Sequence, residues 1–304
     1  MSIKRLLIPQ LNSPPTREWV SELPAGTTIP RIIHQIGTRP AFQNRELPQI
    51  LQENVDRLRA MNPGWEYRFY DDDDIAEFLQ QHYPPSVWNA FQRIDPKYGA
   101  ARADLFRYLL LYKLGGVYLD IKSSTTRPLD EVIHPDDRFI VSQWHTADGK
   151  YAVWGELHDV RHVPGGEYQQ WHIMCAPGHP FLKAVIEQVL SNIGKYYPYL
   201  HQTGKNGVLR LTGPAPYTVA IERILARHPH RFIKGHDQLG LEYSVYSASQ
   251  QNHEKIFKGH YISQSASIVR MSLLRQPLNQ AYRLAQYCHD RLRGNGASQR
   301  PSRP

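Results

Sequence analysis

The chain alternates between short apolar runs and longer segments in which apolar residues recur at helical spacing. Residues 31–36 and 65–70 have the pattern of buried strands, and 46–60 has that of an amphipathic helix. The four aspartates at 71–74 open a further helix, where negative charge suits the positive N-terminal end, so we interpret them as capping rather than catalytic residues. Alternating strands and helices predict an α/β fold with a mainly parallel mixed sheet.

The most informative stretch is a helix followed by a glycine pair, a short strand and an acid. Residues 97–114 carry a broad apolar surface, and Gly115 and Gly116 can adopt positive φ, so they end the helix and turn the chain into a strand at 117–119. Asp120 then stands at the carboxyl end of that strand, where open α/β sheets bind ligands. Asp104 and Arg107 share one face of the helix, either as a simple salt bridge or as part of the same site.

The second half predicts strands at 139–144 and 170–175 and helices at 181–196, 214–227 and 278–292. We therefore expect an irregular leader over 1–28, a single domain over 29–293 with a helical C-terminal lobe, and a disordered basic tail over 294–304.

Five segments in this order resemble glycosyltransferase family 32, the Och1-like and capsular-polysaccharide type with a sugar-binding DXD motif. They are IPRIIHQI at 29–36, NPGWEYRFYDD at 62–72, the run from ARADLFRY at 101 to Asp120, APGHPF at 176–181 and TGP at 212–214. The resemblance implies a GT-A fold, which is Rossmann-like, and a retaining transferase that uses a nucleotide-sugar donor.

One departure concerns the motif itself, because Asp-X-Asp reads here as Asp120-Ile121-Lys122. In the family the second acid helps to hold a divalent cation, Mn²⁺ or Mg²⁺, against the donor diphosphate. If both positions lie in a strand they face the same way, and the Lys122 ammonium would replace the cation, so that no metal is needed. Two alternatives stay open: Asp120 and Lys122 pair with each other on a solvated edge, or Asp120 holds Mg²⁺ with water and phosphate.

The resemblance also implies roles for individual residues. Asp104 and Arg107 would contact the donor sugar, Asp120 the ribose and a metal if one is present, and Lys122 the diphosphate, and we count these four as the catalytic residues. The expected donor-binding set is completed by His34, Gln35 and Tyr118. A retaining reaction, in which the departing diphosphate takes the acceptor proton, needs no basic side chain. That agrees with a sequence in which no such base stands out.

Composition narrows the partners. A net charge of +8 and a pI near 9.4 attract polyanions, and arginines crowd the C-terminus at 283, 291, 293, 300 and 303. A peripheral contact with an anionic membrane and a merely solvated tail both explain them. A nucleic-acid partner is disfavoured because the basic residues are otherwise dispersed and no nucleic-acid motif is present.

Several classes of site are excluded or disfavoured by the remaining patterns. Cys175 and Cys288 are too few for a disulfide framework or a cysteine-rich zinc site. His158 and His162 have zinc-binding spacing, but the Pro-Gly-Gly that follows favours a loop. The aromatic run 196–199 favours packing over ligand contact. A short N-terminal apolar run and no membrane span predict a cytoplasmic protein, peripheral at most at the inner face of the membrane.

The sequence thus predicts transfer of a sugar from a UDP- or GDP-sugar to a hydroxyl of a glycan or glycolipid, in the synthesis of bacterial surface polysaccharide or lipopolysaccharide. Two alternatives remain: a protein-modifying, effector-type transferase, and a catalytically silent protein that binds a sugar nucleotide or glycan.

Overall fold

A six-stranded mixed sheet forms the centre of the computed structural model, which describes residues 9–38, 46–144, 154–246 and 266–297. Its strands are β1 (Ile32–Ile36), β2 (Glu66–Tyr70), β3 (Gly116–Leu119), β5 (Phe139–Ser142), β6 (His172–Cys175) and β7 (Arg231–Ile233), and their order is β2-β1-β3-β6-β5-β7. Strand β6 runs antiparallel to both neighbours, whereas the other pairs are parallel. A separate ribbon pairs β4 (Ser124–Thr125) with β8 (Leu241–Glu242). The predicted α/β class with a mainly parallel mixed sheet is confirmed.

Helices cover both faces of the sheet. In chain order they are α1 (Gln49–Met61), α2 (Asp72–His82), α3 (Pro85–Gln92), α4 (Gly99–Leu114), α5 (Pro180–Lys195), α6 (Pro198–His201), α7 (Gly204–Leu211), α8 (Pro214–Glu222) and α9 (Gln276–Ala297). Val117 and Leu119 of β3 pack in one apolar cluster with Leu58 of α1. Tyr118 faces the opposite cluster, which contains α4 and α5. This alternation fixes which side chains of β3 point toward α4.

The glycine pair ends α4 as predicted. Gly115 has φ 66° and Gly116 has φ 100°, a region that favours glycine over other residues. Space is also short there, because a Cβ on Gly116 would lie 2.7 Å from the carbonyl oxygen of Ile32 and 2.9 Å from Nε2 of His34. Both requirements together set where β3 begins and therefore where Asp120 lies.

The start of α2 confirms the capping interpretation of the aspartates. The Asp71 carboxylate accepts hydrogen bonds from the backbone N–H groups of Asp73 and Asp74, and the Asp74 carboxylate accepts in turn from the Asp71 N–H. Helix α3 was not predicted from the sequence, because its eight residues are too few to show a clear helical period of apolar positions.

The first described residues pack onto the body of the fold although they form no helix or strand over 9–28. The Glu187 carboxylate on α5 accepts hydrogen bonds from the backbone N–H groups of Trp19 and Val20, at 2.8–3.0 Å. Asn12 and Asn192 exchange hydrogen bonds through their side chains and backbone. Residues 9–28 are thus tied to α5.

The C-terminal prediction needs a correction. Helix α9 continues to Ala297, so residues 294–297 are helical where a disordered tail was expected, because Gly294 and Gly296 do not interrupt the helix. Residues 298–304, with Arg300 and Arg303, lie outside the described residues. Cys175 and Cys288 are both free thiols. Among the described helices, none is long and apolar enough to cross a membrane.

Candidate functional site

Asp120 lies in a tight turn at the carboxyl end of β3. Its backbone N–H donates to the carbonyl of Trp171 at 2.8 Å, and its carbonyl accepts from the Ser123 N–H at 2.7 Å. The Gln35 amide donates to the same carbonyl at 3.2 Å, while the Gln35 side-chain oxygen accepts from the Tyr67 hydroxyl at 2.9 Å. Neighbouring strands therefore hold the backbone of Asp120 from both sides.

The Asp120 carboxylate is partly open to solvent and bonded on its inner side. Its Oδ1 accepts from the Tyr118 hydroxyl at 2.8 Å and lies 3.2 Å from an Arg107 guanidinium nitrogen. A quarter of the side chain is exposed, whereas that of Arg107 is only 6% exposed. The guanidinium also lies 4.5 Å from the centre of the Tyr118 ring. The outer part of the carboxylate thus faces the crevice at the sheet edge.

Arg107 joins Asp120 to Asp104, which is buried more deeply. The Arg107–Asp104 distance is 3.1 Å, and Asp104 also accepts from the Thr212 hydroxyl at 2.9 Å. Arg107 donates further to the backbone and side-chain oxygens of Gln170, at 2.8 and 2.7 Å. We call Asp104, Arg107, Tyr118 and Asp120 the charged cluster.

Burial and charge act against each other in this cluster. Burial raises the pKa of Asp104, and the neighbouring Arg107 and the Thr212 hydrogen bond oppose that rise. Burial alone would lower the pKa of Arg107, but Tyr118, Asp120 and Asp104 raise it overall, so the guanidinium stays charged. A fixed positive charge beneath a half-open carboxylate suits an anionic, hydroxyl-rich ligand.

His34 is buried beside the glycine pair rather than open to the crevice. Its Nε2 lies 3.0 Å from the carbonyl of Gly115, which can only accept, so Nε2–H donates and Nδ1 accepts from the Tyr70 hydroxyl at 3.1 Å. Burial lowers the pKa of His34 to about 4, which keeps the ring neutral at pH 7. Nε2 thus fixes Gly115 just before β3, and Nδ1 ties the ring to Tyr70 of β2. The loop expected after β1 includes Arg39 and Pro40, which lie outside the described residues.

Lys122 does not share a strand face with Asp120, and that prediction was wrong. Strand β3 ends at Leu119, and residues 120–123 form the turn, so the alternation of strand side chains does not apply. The Lys122 ammonium donates to the Tyr243 hydroxyl at 2.8 Å and lies 4.0 Å from the centre of that ring. It therefore stands on the Tyr243 side of the turn, outside the group formed by Arg107, Asp104, Tyr118 and Asp120.

Aromatic side chains surround this second side of the turn. We call them the aromatic wall: Trp144, Trp154, Trp171, His236 and Tyr243, whose ring centres lie 4.8 to 6.4 Å apart in successive contacts. The Trp144 indole N–H donates to the Glu167 carboxylate at 2.7 Å, and burial raises the pKa of Glu167 to about 7. Trp154 is 41% exposed, so the wall presents an aromatic surface to solvent.

The donor set at the turn does not fit a divalent cation held by the protein. Asp120 shares its Oδ1 with Tyr118 and Arg107, the second carboxylate on Arg107 is the buried Asp104, and position 122 supplies an ammonium. Within the described ranges no three His, Cys, Asp or Glu side chains are grouped closely enough to bind a metal ion. We therefore derive no chemical step through a metal.

The structure brings four of the residues expected from sequence into one cluster and places the other three around it. Asp104, Arg107, Tyr118 and Asp120 form one cluster, Lys122 lies across the turn, and His34 and Gln35 support the backbone from beneath. Sequence reasoning missed Gln170, Thr212 and Tyr243 as contacts of these residues. Thr212 carried a signal, since it opens the TGP segment, but nothing local marks Tyr243, which lies 121 positions from Lys122.

Other candidate groups have structural explanations. Residues His158–Val160 form a short 3-10 turn in a loop, in agreement with the prediction for the His158 and His162 pair. Tyr196 is buried, and its hydroxyl donates to the Gln202 carbonyl at 2.7 Å. The His179 segment caps α5, so it belongs to the fold rather than to the site.

Residues 48–140 match the protein family described as "Glycosyltransferase sugar-binding region containing DXD motif". Similar curated proteins include inositol phosphoceramide mannosyltransferase 3 of Schizosaccharomyces pombe, 29% identical over 60% of this chain and 44% of that protein. Mannosyl phosphorylinositol ceramide synthase SUR1 of Saccharomyces cerevisiae is 26% identical over 62% and 42%. The initiation-specific alpha-1,6-mannosyltransferase of Candida albicans is 27% identical over 52% and 43%. The chain spans less than half the length of these relatives.

Two solved structures are similar at lower identity. The PaToxG glycosyltransferase has a TM-score of 0.46 and 16% identity over 78% of this chain and 86% of its own. The UDP-bound glycosyltransferase domain of the YGT toxin has a TM-score of 0.48 and 9% identity over 73% and 83%.

Proposed function

Because this chain belongs to the glycosyltransferases whose sugar-binding region contains a DXD motif, we propose that it transfers a hexose from a nucleoside diphosphate to an acceptor hydroxyl. We assign its mixed sheet to the GT-A fold that the family implied. The observation that carries the proposal is the charged cluster, which stands at the carboxyl end of β3 inside the matched region.

The charged cluster supplies the donor site. Asp120, with its outer side open, accepts hydrogen bonds from the ribose of the donor, while Arg107 and Asp104 face the sugar. Arg107 is held by two carboxylates and Gln170, so it needs little reorganisation when the donor binds. His34 and Gln35 act as positioning residues, because they fix the backbone on either side of the site.

The reaction we propose retains the configuration of the sugar. The bond between the anomeric carbon and the diphosphate oxygen breaks, and a bond from the acceptor oxygen forms on the same face. The acceptor proton passes to the departing diphosphate. Charge grows on the diphosphate as the bond breaks, and we assign Lys122 to stabilise it, so the proposed reaction is independent of metal. Orientation and charge stabilisation then supply the rate enhancement.

The aromatic wall is the proposed acceptor side. Its exposed Trp154 and half-buried Tyr243 offer ring faces against which the C–H groups of a pyranose can pack, and both lie on the Lys122 side of the turn. Since similar proteins are named mannosyltransferases, mannosyl donors come first in the test. A glycan or glycolipid acceptor in bacterial surface polysaccharide or lipopolysaccharide synthesis, a UDP- or GDP-linked donor, and a cytoplasmic site of action remain predictions.

The test is donor hydrolysis by the purified chain with a panel of UDP- and GDP-sugars, in Mn²⁺, in Mg²⁺ and in excess chelator. We expect turnover that survives the chelator and is lost in Asp120→Asn, while Asp130→Asn at the surface keeps it. Turnover that requires metal would overturn the assignment of Lys122 as the cation. The absence of both turnover and donor binding would overturn the transferase proposal.

A silent binding protein is the second candidate, favoured by the lysine that stands where the family has an acid. It predicts donor binding in calorimetry, weakened by Asp120→Asn, with no hydrolysis and no transfer under any metal condition.

A further inference from the structure

The C-terminal segment exposes an unusual amount of apolar surface. Among the side chains that the structure describes, eight large apolar ones are exposed, and five of them fall between residues 273 and 287. These five, which we call the leucine face, are Leu273, Leu274, Leu278, Leu284 and Tyr287, with exposed fractions of 79, 94, 41, 64 and 59%. Single exposed leucines are ordinary on protein surfaces, but a group of this size marks an interaction surface.

The segment that carries the leucine face is anchored to the rest of the fold. Arg275 donates to the Tyr196 carbonyl at 3.0 Å and lies 4.1 Å above the Tyr197 ring. Tyr282 packs edge-on against Tyr197, with the ring centres 5.2 Å apart. Asn279, which lies between Arg275 and Tyr282 in the sequence, is buried. One side of α9 therefore holds the body of the protein while leucines project from other sides.

The charged residues along the segment that carries the leucine face are almost all basic. Residues 266–297 contain five arginines and one acid, Asp290. Arg283 and Arg291 lie in α9 together with Leu278, Leu284 and Tyr287, four residues before and after Tyr287. Leu273 and Leu274 lie in the 3-10 turn Leu273–Arg275 that precedes this helix. Their guanidinium groups lie 5.7 Å from the rings of Tyr199 and Tyr287. Apolar side chains flanked by arginines are typical of helices that lie in the headgroup layer of a membrane.

We propose that the leucine face binds the surface of an anionic lipid bilayer. The leucines enter the boundary between headgroups and acyl chains, and the arginines contact lipid phosphates. A second copy of the chain fits this surface less well, because a symmetric contact would bring the arginines of both copies together. The contact does not depend on the proposed sugar transfer. It extends the charge-based membrane prediction by naming the apolar side chains that enter the bilayer.

The test is cosedimentation of the purified chain with vesicles of phosphatidylcholine alone or mixed 3:1 with phosphatidylglycerol. We expect binding to the mixed vesicles, at least tenfold weaker binding to phosphatidylcholine alone, and loss in high salt. The double variant Leu273→Ser, Leu274→Ser should bind at least tenfold more weakly, since both side chains are mostly exposed. The double variant Arg283→Gln, Arg291→Gln should weaken binding to the mixed vesicles by about fivefold for each arginine removed.

The matched control is Phe232→Ser, which removes an apolar side chain of 39% exposure from β7, elsewhere on the molecule. It should bind as the unaltered chain does. Circular dichroism of each variant separates lost binding from lost folding. No sedimentation of the unaltered chain with anionic vesicles, or unchanged binding by the double leucine variant, would overturn the proposal. Concentration-dependent dimers that the leucine variant abolishes, without any vesicle binding, would assign the face to a second copy instead.

Discussion

The two sides of the turn at Asp120 differ in how tightly their charges are held. On the α4 side, Asp104 and Arg107 are 5% and 6% exposed and each makes several bonds. On the other side, Lys122 is half-buried and bonded to one tyrosine in an aromatic wall. A buried pair cannot rearrange without large cost, whereas a half-open lysine can. The charged cluster therefore holds a fixed geometry, whereas the Lys122 side can rearrange when a ligand binds.

Arg107→Ala should have the largest effect of these substitutions, because it leaves Asp104 buried without its cation. We expect the free energy of unfolding to fall by about 3–5 kcal/mol, measured by urea denaturation, together with loss of donor hydrolysis. Arg31→Ala is the matched control, since the Arg31–Asp130 pair is 63% and 47% exposed and should contribute at most about 1 kcal/mol. Equal effects of the two substitutions would contradict the buried role of Arg107.

Lys122→Ala tests whether the open side acts on the donor. We expect a fall in the rate of donor hydrolysis of about 10²- to 10³-fold, as when one group that stabilises developing charge is removed, and little change in unfolding. Lys122→Arg should restore part of the rate, because the positive charge is kept. Lys97→Ala, an exposed lysine before α4, is the control. A full rate in Lys122→Ala would remove this residue from the reaction.

The pH dependence of stability tests the burial of Glu167, the carboxylate that bonds to Trp144 of the aromatic wall. Burial raises the pKa of Glu167 from 4.5 to about 7. Between pH 4.5 and pH 7 the folded protein therefore binds a proton at Glu167 that the unfolded chain has released. Its stabilising contribution is complete below about pH 4.5 and is lost as the pH rises through 7, by roughly 2–4 kcal/mol in total.

The measurement is the free energy of unfolding at pH 5 and pH 8.5, compared between the unaltered chain and Glu167→Gln. Buried histidines such as His34 have lowered pKa values, so they make the free energy of unfolding fall in the opposite direction, toward low pH. They are common to both proteins, so the difference between the two pH profiles isolates Glu167. Parallel profiles would show that the carboxyl titrates normally.

Tyr243→Phe is the smallest change, since it removes only the hydroxyl that accepts from Lys122. Loss of one such hydrogen bond should lower the rate of donor hydrolysis by about 3- to 10-fold. The effect on kcat should exceed that on KM if the bond orients the ammonium in the reaction. Tyr67→Phe removes a hydroxyl that donates to Gln35 and serves as a comparison beneath the site. An effect as large as that of Lys122→Ala would mean that Tyr243 has a role of its own.

The charged cluster was largely predictable and the aromatic wall was not, for physical reasons. Asp104 and Arg107 lie one helical turn apart, and Asp120 follows a glycine pair whose positive φ values are a local requirement. The relation between Asp120 and Lys122 depended on where β3 ends, and one residue changes which way a side chain points. Tyr243 reaches Lys122 only because the β4–β8 ribbon brings distant segments together.

The bonds between residues 12–20 and α5 have a consequence for how the protein is made. Trp19 cannot meet Glu187 until 168 more residues have been added to the growing chain. At synthesis rates of about 5–20 residues per second, that delay is roughly 10–30 s. During this interval the side chain of Val20, which is buried in the folded protein, is exposed to solvent. Docking of this segment onto α5 is therefore a late step in the maturation of the protein.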